Sequence, residues 1–226
     1  MSSLKGELLD VSVAPETPVE ELRHRLLEVL QAPAAPRRMT YEEFLAWTDE
    51  DTLAEWVDGE VVMTSPAGDQ HQDICGFLGA ILRAFVETHQ LGVVRVAPFQ
   101  MRLARSGREP DVLFLAREHL QQLKKTYLDG PADLVVEILS PESAMRDRGQ
   151  KFYEYEEAGI PEYWLIDPDR ARVEFYQLDT QGRYAVVAPD EKRVYRSQAL
   201  PDFWLDVDWL WQPPSLISTQ QTLGLI

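Results

Sequence analysis

The run ADLVVEILS, residues 132–140, is rich in Leu and β-branched residues without polar alternation. That pattern predicts a strand buried on both faces of a sheet. Glu137 interrupts it. An unpaired carboxylate inside a sheet costs several kcal/mol, so Glu137 needs a partner or a metal. Upstream, PDVLFLA (110–116) predicts a second apolar strand, with Asp111 at its start directly after Pro110. Adjacent strands hold side chains roughly 5 Å apart across the ladder. Asp111 and Glu137 can therefore share one divalent cation, if their strands are neighbours and both residues point to one face. Oxygen-only ligands suit magnesium or manganese. Lys151 follows in the next predicted helix, four residues after Asp147. A lysine there can neutralise charge on an attacked phosphate or orient water. Each residue also has a plainer reading that spacing leaves open. Asp111 can cap a turn, Glu137 can pair with a core arginine, and Lys151 can pair with Asp147 on a helix surface.

Working outward, EYWLIDP (162–168) predicts a further strand, and VEFYQLD, RYAVVA and KRVYR continue as hairpins. RGQKFYEYEEAG between Asp147 and Pro161 predicts a helix stopped by Gly159 and Pro161. Upstream, Ile74, Phe77, Leu78, Ile81, Leu82, Phe85 and Val86 form the apolar stripe of a long helix near 70–90, with Asp69 as its cap. AEWVDGEVVMTSP (54–66) reads as a hairpin turning at Asp58–Gly59. Thr40 and Glu43 form a capping box for a short helix. The expected architecture is α/β, with one central mixed sheet flanked by helices and elaborated by hairpins, over residues 39–212. Residues 1–38 read as a helical extension plus an APAAPRR linker, and 213–226 as a tail without pattern.

The chain has 226 residues, and such a length buries about 70% of its unfolded surface, so folding needs no disulfide or metal. The single Cys75 excludes an intrachain disulfide framework and suits a reducing, cytoplasmic location. No apolar run suggests a membrane span, and the N-terminus lacks a signal-peptide pattern. The formal net charge of −16 disfavours non-specific wrapping of nucleic acid. Its distribution narrows that objection. Residues 39–69 carry nine acids and no base, whereas residues 70–110 are net +2.

The segments EPDVLFLA, DLVVEILSP and RDRGQKFYEYEEAGIPEYWLIDP, in that order, resemble a bacterial restriction-endonuclease-like family of the PD-(D/E)xK nuclease superfamily. DGEVVMTSPAGDQHQ (58–72) is similar to the N-terminal portion of that family. The resemblance spans about residues 39–210. It implies a four-stranded mixed core sheet flanked by helices, and a magnesium- or manganese-dependent endonuclease acting on DNA. Asp111 and Glu137 then match the motif acids and metal ligands, with the Ile138 carbonyl as a third. Leu139 stands where the superfamily often has lysine, and Lys151 resembles a migrated lysine. Glu55 matches an additional acid, more closely than Glu60 does. His71 matches a histidine that opens the first long helix, and can bind phosphate, assist proton transfer or simply occupy the helix start. Gln72 and Ser140 are weaker neighbours.

Arg95, Arg102, Arg105, Arg108, Arg146 and Arg148 are the basic residues available to a DNA backbone. Arg102, Arg105 and Arg108 cluster before Asp111, as a substrate clamp would. Cys75 reads as core, and His24, His89 and His119 form no zinc pattern. Trp164, Trp204, Trp209 and Trp211 sit among apolar residues and read as core or subunit-interface packing. A homodimer is expected. The competing function is a catalytically degenerate nuclease fold that binds nucleic acid or protein.

Overall fold

The computed structural model describes residues 38–49 and 52–226. The extension and linker expected over residues 1–38, with His24, lie outside the described residues up to Arg37. Helix α1 (Tyr41–Trp47) precedes the hairpin β1 (Ala54–Val57)–β2 (Glu60–Met63) and helix α2 (Asp69–Thr88). Strands β3 (Gly92–Val96), β4 (Gln100–Arg102), β5 (Ser106–Arg108), β6 (Val112–Ala116), β7 (Tyr127–Asp129) and β8 (Leu134–Ile138) follow. A short helix α3 (Ala144–Arg146) runs through a π turn (Asp147–Lys151) into α4 (Phe152–Glu157). Strands β9 (Glu162–Asp167), β10 (Arg172–Leu178), β11 (Tyr184–Val186), β12 (Val194–Arg196) and β13 (Trp204–Asp206) lead to helix α5 (Leu216–Thr222).

The main sheet has the order β11-β10-β9-β8-β6-β3. Within it β3, β6 and β8 run antiparallel in turn, and β8 and β9 run parallel, which is the expected four-stranded mixed core. The hairpins do more than decorate it. Strands β2-β1-β5-β4-β7 assemble a second sheet. The run 92–105 breaks at Ala97–Pro98, leaving β3 in the main sheet and β4 in the second.

Period-two alternation sorts the central strands between two cores. Leu134, Val136 and Ile138 face α2 with Val112, Phe114, Trp164 and Ile166. Val135 and Leu139 face α4 with Leu113, Tyr163 and Leu165. All seven residues of the α2 stripe are buried. Asp69 is not the cap of α2: Gly68 holds that position, without a side-chain bond. A cap is worth about 1 kcal/mol. Burying the stripe contributes about 1.5–3 kcal/mol per side chain, so packing decides where this helix lies. The turn Asp58–Gly59 has φ of 50° and 90°, as the two-residue hairpin requires. Residues 213–226 are not featureless. Ser215 caps α5, which packs on α2, and Leu223 and Leu225 join the core. Among the described residues, no helix is long and apolar enough to cross a membrane.

Candidate active site

The β6–β8 register pairs Val112 with Val136. One step further sets Asp111 across the ladder from Glu137, both on the face that carries Leu113 and Val135. The two carboxylates line a cleft of about 1050 Å³. Asp111 Oδ2 accepts the Ile138 N–H at 2.6 Å, and Oδ1 lies 3.2 Å from His71 Nε2. In an extended strand the N–H and C=O of one residue point to the same neighbour. The Ile138 carbonyl therefore faces the Asp111 side as well.

Lys151 enters from the π turn. Its Nζ lies 2.9 Å from Glu137 Oε1, 3.0 Å from Glu55 Oε1 and 3.3 Å from Asp147 Oδ1. Tyr155, one turn later, donates its hydroxyl to Glu137 Oε1 at 2.6 Å. Arg108 Nη1 donates to Glu55 Oε2 at 3.0 Å, while Nε and Nη2 hold the two oxygens of Glu154 at 2.8 Å each. Glu154 and Tyr155 are neighbours on α4. A closed ring thus runs Glu154–Arg108–Glu55–Lys151–Glu137–Tyr155, and it ties the second sheet to the first.

The charges divide unequally around this ring. Burial works to raise Glu55, but Lys151 and Arg108 outweigh it and hold Glu55 at about 2. Burial pushes Glu137 up to about 8, although Lys151 lies against it. Glu109 also rises to about 7, through burial and the neighbouring Glu55 charge. Lys151 resists its burial because Glu137, Glu55 and Asp147 raise its pKa. Burial disfavours charge on His71, yet Asp111 raises its pKa. The cleft therefore carries more carboxylate than its own cations neutralise. Asp111, Glu137 and the Ile138 carbonyl are hard oxygen donors that fit a magnesium- or manganese-sized ion, which would displace the proton that burial favours on Glu137. Among the described residues, no three His, Cys, Asp or Glu side chains converge as a ready-made cage. The donor set is two carboxylates and a main-chain oxygen.

Glu55, His71, Asp111, Glu137, Ile138 and Lys151, all singled out from sequence, line this one cleft, as do Gln72 and Ser140. Glu60 does not; it lies on the exposed hairpin near Arg38. The Arg102–Arg105–Arg108 clamp is not formed. Arg108 is fully buried, Arg105 pairs with Asp58, and Arg102 pairs with Glu42 and stacks over Tyr41. Arg148 binds Asp167 and Glu174. Cys75 packs against the α2-side core and also lines the cleft, and burial raises its thiol to about 11. Sequence reasoning missed Tyr155, Glu154 and Glu109. The i,i+4 spacing of Lys151 and Tyr155 on one helix face was the available signal.

Residues 41–208 match the Uma2 family, described as "Putative restriction endonuclease". The chain is 28% identical over 149 residues to the uncharacterized protein sll1609 of Synechocystis sp., covering 64% of this chain and 83% of that one. Its fold is similar to the crystal structure of a nuclease, titled "putative", of the DUF820 group from Anabaena variabilis. The TM-score is 0.65 at 18% identity, over 77% of this chain and 98% of that one. With the match spanning most of its length, the chain belongs to the Uma2 family.

Proposed function

We propose that this protein is a magnesium- or manganese-dependent endonuclease that hydrolyses phosphodiester bonds in DNA. The observation that carries the reading is Glu137, set across the ladder from Asp111 and 2.9 Å from the Lys151 ammonium. Asp111, Glu137 and the Ile138 carbonyl would hold the ion. When bound, the ion supplies Lewis-acid polarisation of a phosphoryl oxygen and a lowered pKa for water. The chain's own residues do the rest. Glu55 and Asp147 keep the Lys151 ammonium charged and aimed at Glu137, where it offsets negative charge developing on phosphorus oxygens. Tyr155 fixes the rotamer of Glu137. His71 holds a proton at Nε2 beside Asp111, at the cleft wall, from which it can protonate a leaving oxygen. A homodimer would supply a second cleft for cutting both strands.

The test is magnesium-dependent cleavage of supercoiled and branched DNA, with RNA for comparison. The wild type should cut, and Asp111→Ala, Glu137→Ala and Lys151→Ala should not. Cleavage that persists in all three variants overturns the assignment. Ion binding without cleavage in the wild type favours the binding-module reading. Light scattering that finds only monomer removes the dimer.

A further inference from the structure

We infer that Arg146 is the residue that grips a substrate phosphate in this cleft, an inference that rests on reading the cleft as a phosphodiester site. The other cleft cations are committed. Lys151 sits among three carboxylates, Arg83 pairs with Glu87 at 2.8 Å, and His71 faces Asp111. Arg146 lines the same cleft with its side chain 23% exposed, and its Nε is buried without a hydrogen-bond partner. Its nearest carboxylate oxygen, Glu55 Oε2, lies at 3.8 Å, beyond hydrogen-bonding distance. That oxygen already accepts from Arg108, while Oε1 takes Lys151 and the Glu109 N–H.

A buried guanidinium N–H without an acceptor is unfavourable, and native structures seldom keep one. Here the missing acceptor fits an anion that arrives with the substrate. The planar guanidinium fork matches two phosphate oxygens at once, which a point charge cannot do. The backbone beneath it is held. Ser140 and Ser143 exchange reciprocal main-chain-to-hydroxyl bonds of 3.0 and 3.1 Å just before α3. Arg146 lies five residues before Lys151, so the gripping and charge-neutralising cations ride on one continuous helical segment.

The experiment measures binding of a short labelled DNA strand to the full chain by fluorescence anisotropy. Calcium replaces magnesium, so that binding is read apart from cleavage. Arg146→Gln should weaken binding roughly tenfold or more. It should also flatten the dependence of log affinity on log salt by about 0.7, one phosphate contact on a single strand. Arg146→Lys should restore the slope but not the full affinity. Manganese affinity by calorimetry and the melting temperature should stay at wild-type values in both variants. An unchanged affinity and slope in Arg146→Gln, or a wild-type protein that binds no strand, would overturn the assignment. A wild type that binds but never cuts would sink the nuclease reading alone, and the Gln variant would still decide the role of Arg146.

Discussion

Lys151 donates to Glu137 across 2.9 Å, although the lysine rides on the helical layer and the glutamate lies inside a central strand. A lysine two residues after Glu137 would stand on the same strand face. Leu139 occupies that place and is buried in the α4-side core. The ammonium instead arrives from the π turn, which adds a residue to the helical path between Ser143 and Phe152.

Replacing Lys151 by Ala should therefore do two separable things. It leaves Glu55, Glu137 and Asp147 facing one another in a buried site, and breaking such a pair costs about 3–5 kcal/mol. It also removes charge stabilisation worth about 10²–10³ in turnover. Urea denaturation reads the first effect, and single-turnover cleavage per folded molecule reads the second. A variant that folds and cuts like the wild type contradicts the ring.

Glu137 makes the ion-free protein sensitive to pH. Its folded pKa is about 8, against an ordinary value of 4.5. Between those values the folded state keeps a proton that the unfolded chain has lost. Stability from this group therefore falls as pH rises from about 4.5 to 8, by at most about 1.4 kcal/mol per pH unit. Glu137→Gln should lack that slope and melt higher than the wild type at pH 8 without metal. Added manganese should stabilise the wild type by mass action and leave the variant unmoved. A wild-type melting temperature that climbs steadily from pH 5 to 8 in EDTA would refute this.

Arg108 is a structural arginine. It is fully buried, and its three side-chain hydrogen bonds go to Glu55 and Glu154. Arg108→Met strands two carboxylates and should destabilise the fold by about 3–5 kcal/mol. It should not alter the salt dependence of DNA binding by whatever protein remains folded. A flattened salt slope would return Arg108 to the substrate surface.

The sequence made Asp111 and Glu137 visible because a carboxylate in an apolar strand violates the burial pattern around it. Lys151 was visible through its spacing from Asp147. Arg108 was misread for a physical reason. An arginine in a short polar segment looks exposed, and only the partners Glu55 and Glu154, 53 and 46 residues away, reveal its burial. The second sheet was hidden because VRVAPFQMRL carries apolar residues on both sides of Pro98, so its pattern does not say that β3 and β4 join different sheets. Helix α5 was hidden because LISTQQT has no apolar stripe; its position comes from packing on α2.

Glu162 provides the last prediction, at the start of β9. It is fully buried and has no cationic partner among the described residues. Oε1 accepts Trp164 Nε1 at 2.6 Å and the Tyr195 hydroxyl at 2.7 Å. Oε2 accepts Ser197 Oγ at 2.9 Å and the N–H groups of Gln198 and Ala199 at 2.7 Å each. Only an acceptor at both oxygens satisfies this arrangement. Glu162→Gln turns one oxygen into an NH₂ donor that faces other donors, so the near-isosteric change should not rescue. Each donor left unmet in a dry site costs about 1–3 kcal/mol, and the Gln variant should fall close to the Ala variant. Amide exchange at Gln198 and Ala199 should accelerate in both, as the β12–β13 hairpin loses its anchor. Manganese binding at Asp111 and Glu137 should persist in the folded fraction. A Gln variant within about 1 kcal/mol of wild type, with protected amides, would mean that the hairpin is held by packing of Tyr195 and Phe203 instead.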